Sequence, residues 1–480
     1  MFFIILLGFL LRISYIIKPE GMWNDEYVSW YVASTPLFDG FRHEVLRQCH
    51  MPLYYIYLKP FAHFSDTILR LTSVIPGVLA IPVMYLIGKE YSKKAGYFAA
   101  TITSVLSFLV YYSQEVRFYS LLFLFSALAL LFTIRYLKDG SKLNLAGYLA
   151  SLALILFTHI IGVIYVFFSL LYVAYKKKKL RAFVLSVLAI VLLLSPIINN
   201  VLRMLPASQW WGQFSYTNIL FLFSDYFSPI LTNNITAPPV FFYDKSLALW
   251  LVVPTLIAFS GMIAGGVNEG KNVGILFVAT STVTVMSLLA ATEKLVFITK
   301  YSIEILPILI LFTALGFVRL KKIGLILLSI FVNFHLAAIF TPNYVTKLKR
   351  SEGHKIVGDI LNARNSKTIV FTYYEPDRFY RYTNVEDKNL LFISKSNRHL
   401  YKDNPAEILD AVSVGESVSV VILDSVSFLD KVPEGANVPE MFLTFSNVKK
   451  SLIKRLNSDF KGFKVDKGGY WTVVTAVRFK

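Results

Sequence analysis

Residues 2–17 read FFIILLGFLLRISYII, and Lys18-Pro19-Glu20-Gly21-Met22-Trp23-Asn24-Asp25-Glu26 follows at once. The first part is an apolar run with one charge, Arg12, close to the roughly 20 residues a helix needs to cross a bilayer. It has no basic leader and no small-residue cleavage site, which predicts a retained first span. The second part sets two carboxylates beside a tryptophan where that span would meet water. Membrane interfaces favour Trp, Tyr, Lys and Arg and penalise desolvated acids, so anchoring explains Asp25 and Glu26 poorly. The pair is better placed to act on something that arrives along the membrane surface.

The apolar pattern recurs up to about residue 340. Of 480 residues, 55% are hydrophobic and 16% charged, against roughly 25% charged in an average soluble domain. The chain is expected to be a mainly α-helical polytopic membrane protein of about 11 transmembrane helices, followed by a small α/β soluble domain. Spans are placed near 2–17, 67–88, 95–112, 117–137, 143–158, 160–175, 180–198, 246–266, 273–292, 300–318 and 322–341. The formal charge of +18 lies mostly in short loops and in the C-terminal portion. It reads as topology-setting and surface charge, not as a nucleic-acid footprint. The single cysteine, Cys49, excludes an intramolecular disulfide and a thiolate metal cluster.

Leu143 to Tyr175 is barely long enough for two crossings, and charge parity decides for two. The loops with Lys89, Lys93 and Lys94, with Lys138 and Lys142, with Lys176 to Lys179, and with Arg319, Lys321 and Lys322 should all face the cytoplasm. Eleven crossings from a cytoplasmic N-terminus satisfy this. Asp25-Glu26, Tyr111–Arg117, Asn199–Lys245, Lys294 to Tyr301 and everything after Thr341 then share the extracytoplasmic side. The first external loop, about 18–66, is amphipathic: Tyr27, Trp30 and Tyr31 recur at helical spacing, Pro36 breaks the pattern, and a second short helix is expected around Phe41–Gln48. In the later loop, Trp210-Trp211 reads as an interfacial anchor, and the sequon Asn234-Ile235-Thr236 as a chance match.

The domain division expected is 1–343 for the membrane part and 344–480 for an extracytoplasmic α/β domain. In the latter, helix-like Gly353–Ala363, Asn404–Val412 and Asn447–Asp459 alternate with strand-like Thr368–Tyr373, Leu390–Ile393, Ser417–Leu423 and Tyr470–Phe479. That alternation predicts a small, largely parallel sheet.

An ordered set of motifs joins the acidic pair: His50-Met51-Pro52-Leu53-Tyr54-Tyr55, then Ser113-Gln114-Glu115-Val116-Arg117-Phe118-Tyr119, Thr158-His159, and Lys300-Tyr301 with Pro307. Over roughly residues 1–341 this order resembles the GT-C membrane glycosyltransferases, in the branch of protein mannosyltransferases and aminoarabinose transferases. The family usually shows His-Pro-Pro-Leu-Tyr-Tyr, where this chain has Met51, and an Arg-Tyr pair where it has Lys300-Tyr301. Lysine keeps the positive charge but loses bidentate phosphate recognition.

The resemblance implies an inverting transfer of a sugar from a polyprenyl-phosphate donor to a glycolipid, glycan or protein acceptor at the external face of a cell membrane. Its partners would be that donor, the acceptor and membrane lipids, with no nucleic acid. One carboxylate suffices as general base, because a phosphate leaves as an already stable anion and wants fixed positive charge instead. Asp25 takes the base by its motif match, which the chemistry alone would not separate from Glu26. Glu115 either orients the acceptor or pairs with Arg117. Arg117 and Lys300 either hold the donor phosphate or snorkel at the interface. Arg12, inside the first span, either faces a polar cavity at the phosphate or reaches a headgroup. His50, Tyr54, Tyr55, His159 and Tyr301 are expected around the substrate cavity. No cofactor is expected. A divalent metal at the histidines and acids is left open, since the usual close-spaced ligand pair on one helix face is absent. A lipid or sugar transporter and a non-catalytic membrane subunit are the alternative classes, although no internal repeat supports a transporter.

Overall fold

In the computed structural model the chain is mostly helical, with one five-stranded sheet towards its C-terminus. The structure describes residues 1–18, 21–40, 51–207, 216–229, 248–266, 273–292, 299–338, 354–364, 366–371, 381–382, 389–392, 405–423, 451–468 and 471–480. The chain falls into two units, one of Met1–Ile17 with Ser29–Leu348, the other of Lys18–Val28 with Lys349–Lys480.

The first unit opens with α1 (Phe2–Ile13), continues from within α2 (Asn24–Ser34), and adds α3 (Leu37–Gly40) and α4 (Leu53–Leu58). The longer helices follow: α5 (Asp66–Lys89), α6 (Lys93–Val105), α7 (Ser107–Tyr112), α8 (Tyr119–Asp139), α9 (Lys142–Thr158), α10 (Gly162–Lys177) and α11 (Leu180–Ala207). After α12 (Tyr216–Phe227) come α13 (Ala248–Gly266), α14 (Val273–Ala291), α15 (Leu306–Arg319) and α16 (Lys322–Ala338). Six stretches among the described residues are long and apolar enough to cross a membrane: Asp66–Lys89, Tyr119–Asp139, Leu180–Asn199, Leu249–Gly266, Gly274–Ala291 and Thr299–Arg319. α1, α9 and α16 are shorter apolar helices. On α11 the side chains of Leu185, Leu188, Leu192 and Leu193 are exposed. Water would penalise such a stripe, and lipid tails accept it.

The segment expected as one span over 95–112 is two helices, because Leu106 turns to ψ 112° between α6 and α7. Nothing in a lipid core replaces the lost backbone bonds, so the protein supplies partners. Arg12 donates from Nη2 to Thr103 O and from Nη1 to Ser104 O, each at 3.0 Å, and the Ser107 N–H donates to His335 Nδ1 at 3.2 Å. Further along, α13 crosses α15 at glycines. A Cβ on Gly316 would sit 1.7 Å from Gly261 O and 2.8 Å from Gly265 N. The Gly261-x-x-x-Gly265 spacing thus lets two backbones meet where any side chain would separate them.

In the second unit α17 (His354–Arg364) packs on a sheet of order β2-β1-β3-β5-β4. Its strands are β1 (Thr368–Phe371), β2 (Asn389–Phe392), β3 (Ser417–Leu423), β4 (Phe460–Gly468) and β5 (Trp471–Arg478). β1 runs parallel to β2 and β3, whereas β5 is antiparallel to β3 and β4. The sheet is therefore mixed, which corrects the largely parallel expectation. Sequence reading takes Lys467-Gly468-Gly469 as a closing hairpin turn, and β4 does end at Gly468 and pair antiparallel with β5. It gives the strand itself no range, because lysines at 461, 464 and 467 mask the pattern. They suit its place at the sheet edge, where charge discourages pairing with another chain. Val370, Leu409, Val418, Val420, Leu452 and Phe460 form the buried core of this unit.

Candidate functional site

The acidic pair lies in the first turn of α2. Trp23 caps that helix: its carbonyl accepts from Tyr27 N–H at 2.9 Å, and its own N–H donates to Glu26 Oε2 at 3.3 Å. A glutamate at the third helical position reaching back to the cap residue is half of a capping box. Glu26 is fully buried, while Asp25 is half-buried one position earlier. The two acids are thus distinguished locally: one closes the helix start, the other stands beside it. Both gain from the positive end of the helix dipole.

In the first unit, Ser113–Phe118 joins α7 to α8 without helix and is buried throughout. A buried irregular segment must satisfy its own polar groups. The Gln114 N–H donates to Tyr111 O at 2.9 Å, the Gln114 side chain to Leu11 O at 3.0 Å, and the Arg117 N–H to Glu115 O at 2.8 Å. Ser73 Oγ donates to Arg117 O at 3.2 Å. Non-helical backbone at membrane depth is tolerated where protein surrounds it or where it lines a cavity. Its location makes it a natural wall for a site.

Two cations gather at this wall. The Arg117 guanidinium carbon lies 5.1 Å from the Phe118 ring centre and 6.0 Å from that of Tyr119. Lys300 Nζ lies 5.4 Å from the Tyr119 ring centre and 5.4 Å from that of Tyr301. Arg117 also donates from Nη1 to Ser29 Oγ at 3.2 Å. The His159 ring stacks on Phe118 with centres 4.8 Å apart and tilts against Tyr301 at 5.5 Å. Fold geometry explains the convergence. His159 ends α9 in extended backbone, and Lys300-Tyr301 lies in a 3-10 segment, Thr299–Ile305, that turns at Ser302 before Pro307 starts α15. α12 braces that turn, with Thr299 Oγ1 donating to Asp225 Oδ2 at 2.8 Å and Tyr226 Oη to Ser302 O at 2.7 Å.

Arg117, Lys300, His159 and Tyr301 are therefore brought together around Phe118 and Tyr119. Tyr54 belongs to the same wall: its ring meets Phe118 edge-on at 6.3 Å and its hydroxyl lies 3.4 Å from Ser73 Oγ. Tyr55 is buried against Tyr54, with ring centres 6.2 Å apart. Glu115 is fully buried two residues before Arg117. Arg12 is held at the α6–α7 break, where its guanidinium faces helix-terminal carbonyls. His50 lies outside the described residues, as do the Phe41–Gln48 helix, Trp210-Trp211 and the Asn234 sequon. Among the described residues no group of three or more His, Cys, Asp or Glu stands together to hold a metal ion.

Sequence reading passed over three buried charges. Glu304 approaches His159, with Oε1 3.9 Å from Nδ1. Asp225 braces the Lys300 turn, and Arg70 donates to Ile16 O at 3.0 Å. A signal was present for each, since a charge within or beside an apolar run is expensive enough to imply a partner.

The comparisons can be set against this geometry. A family model described as dolichyl-phosphate-mannose-protein mannosyltransferase matches residues 55–202, a stretch that contains Glu115, Arg117 and His159. No curated protein sequence matches the chain. Among solved structures, ArnT from Cupriavidus metallidurans bound to undecaprenyl phosphate is similar at TM-score 0.54 and 9% identity, over 98% of this chain and 97% of that one. The chain shares the fold of ArnT. The oligosaccharyltransferase of Archaeoglobus fulgidus, in complex with Zn and sulfate, is similar at TM-score 0.52 and 13% identity, over 98% of this chain and 72% of that one. Within this fold the Ser113–Tyr119 wall and the Lys300 turn carry two of the buried cations, Arg117 and Lys300.

Proposed function

We propose that this protein is an inverting glycosyltransferase that moves a sugar from a polyprenyl-phosphate donor to an acceptor at the external face of a cell membrane. The observation that carries this reading is the placement of Arg117 and Lys300 over the buried Tyr119 ring. Fixed positive charge in a site shielded from water suits a phosphate on which negative charge develops. Arg117 presents a planar fork, and Lys300 adds a compact charge without bidentate geometry. Arg12 supports them indirectly, by holding the α6–α7 break from which the Ser113–Tyr119 wall continues. Tyr54, Tyr55, His159 and Tyr301 form the cavity wall, where aromatic faces suit sugar rings.

In the proposed step an acceptor hydroxyl or amine attacks the anomeric carbon from the face opposite the phosphate. The new bond forms at that carbon as its bond to the phosphate oxygen breaks, and the electron pair leaves with polyprenyl phosphate. Asp25 takes the acceptor's proton as general base. Its half-burial supports this role over Glu26, whose carboxylate caps α2. Glu115 orients the acceptor. The topology that goes with this reading has eleven crossings, a cytoplasmic N-terminus and an external C-terminal unit.

Sugar transfer in vitro tests the reading. Purified wild-type and Asp25→Asn protein are given a panel of polyprenyl-phosphate sugars with host membrane extract, with and without a chelator. Release of free polyprenyl phosphate is followed by mass spectrometry. Turnover of one donor by wild type and near-total loss in the variant is the expected result. Equal turnover by both proteins rejects Asp25 as the base, and loss in the chelator arm shows that a metal is required.

A further inference from the structure

The acidic turn belongs to the same unit as the C-terminal α/β domain, and the contacts that join them are specific. Met22, three residues before Asp25, is fully buried and held on both sides of its backbone. Its N–H donates to Tyr382 Oη at 2.9 Å, and its carbonyl accepts from His354 Nδ1 at 3.3 Å. Gly21 precedes it at φ +88°, a conformation that L side chains rarely adopt. A Cβ there would also lie 2.7 Å from Lys355 Cβ and 2.9 Å from Tyr382 Oη. The chain therefore enters the acidic turn pressed flat against the C-terminal domain.

The surface that holds it is one face of α17. His354, Gly358 and Asn362 recur every four residues, which stacks them along the helix. His354 bonds Met22 directly. Gly358 lets Tyr382 lie against the helix, since a Cβ there would be 2.6 Å from Tyr382 Cβ. Asn362 Nδ2 donates to Tyr382 O at 2.9 Å. Tyr382 is thus anchored at its backbone while its hydroxyl reaches Met22. These residues come from positions 354–382, more than 300 residues from the turn they hold.

We infer that Tyr382 and His354 are positioning residues for catalysis, and that the C-terminal domain serves to hold the Met22–Glu26 turn, and with it Asp25, in its working geometry. This rests on Asp25 being the base. A helix start held by backbone clamps cannot drift, and a displacement of about 1 Å at a reacting group can cost on the order of 100-fold in rate. Substrate contact is not needed for such a role, so the clamp should act on kcat and leave donor binding alone.

The test uses the full-length protein, with Tyr382→Phe as the main variant. This substitution keeps the ring and removes the oxygen that accepts from Met22. Hydrogen exchange, read by mass spectrometry over residues 18–28, should rise in Tyr382→Phe while exchange in α17 and the sheet stays as in wild type. In the transfer assay kcat should fall about 10-fold or more, with donor KM within about 2-fold of wild type. Gly358→Ala, which pushes Tyr382 off α17, should reproduce both effects. Unchanged exchange over 18–28 overturns the clamp. Raised exchange with wild-type kcat overturns the positioning role. Asp25→Asn runs beside these variants. If it keeps full turnover, the base assignment has failed. If it is inactive while Tyr382→Phe is fully active, the base stands and the positioning role falls.

Discussion

Glu304 Oε1 lies 3.9 Å from His159 Nδ1, and neither carboxylate oxygen of Glu304 has a hydrogen bond among the described residues. Glu304 is 1% exposed, and its Oε1 is also close to the first residue of α10, 3.3 Å from where a Cβ on Gly162 would be. This acid faces the histidine and the first residue of α10, the end at which a helix dipole is positive. Glu304→Gln should lower kcat/KM about 10-fold, the scale of one charge-assisted contact. A double-mutant cycle with His159→Asn should show coupling of roughly 1–2 kcal/mol. Additive losses would show that the two side chains act separately.

Arg117 and Lys300 are expected to differ in what replaces them. Lys300→Met should raise donor KM or lower kcat/KM by about 10- to 100-fold, as loss of one contact to a charged group implies. Lys300→Arg should retain most activity, because the charge remains and a fork is gained. Arg117→Lys should lose more than Lys300→Arg, since its Ser29 contact and its stacking over Phe118 both use the planar group. Donor-dependent kinetics on the four proteins decides the order.

Arg12 supports the α6–α7 break through carbonyls that no lipid can satisfy. Arg12→Met should destabilise the protein by on the order of 3 kcal/mol, the cost of leaving buried acceptors unpaired. The check is thermal unfolding in detergent. Donor KM in the folded fraction should change by no more than about 2-fold. A large rise in KM at normal stability would place Arg12 at the donor instead.

The α13–α15 crossing should be intolerant of side chains. Gly316→Leu would force apart backbones that now meet at Gly261 O. The expected result is loss of folded protein on size exclusion, with Gly266→Ala harmless, since a Cβ there meets only the tip of Leu276 at 3.9 Å.

Glu90 gives a pH signature outside the spans. Burial pushes its carboxyl up, but hydrogen bonds from Arg135 at 2.8 Å and Lys138 at 3.0 Å outweigh this and hold it below the usual carboxylate range. A depressed folded pKa contributes stability above the unfolded value and loses it as pH falls through the folded one. Solvent screens the cluster, so the effect is about 1 kcal/mol or less. Thermal unfolding from pH 7 to pH 3 should show a part of the acid loss that Glu90→Gln abolishes.

Much of the architecture was legible from local signals. A bilayer demands apolar runs of a set length, so the helices of the first unit could be found one run at a time. The helix over Asn24–Ser34 followed from the spacing of Tyr27, Trp30 and Tyr31, and the strands around Thr368 and Ser417 from their β-branched runs. The break at Leu106 was not legible, because the partners that make it affordable, Arg12 and His335, come from the two ends of the membrane part. Nor was the extent of strand β4: the hairpin turn at Lys467-Gly468-Gly469 marked its end, but its edge position rewards lysines that obscure its alternation.

The sequence by itself determined that this is a helical membrane chain with a small α/β part, and it singled out Asp25, Arg117, His159 and Lys300 by their order. Only tertiary structure decided that Arg117 and Lys300 meet at one ring, and that Glu304 stands beside His159. Only tertiary structure set Met22 between His354 and Tyr382. The physical reason is range. Burial against lipid is decided within one helix length, whereas a hydrogen bond between residues 360 apart leaves no periodic trace in either segment.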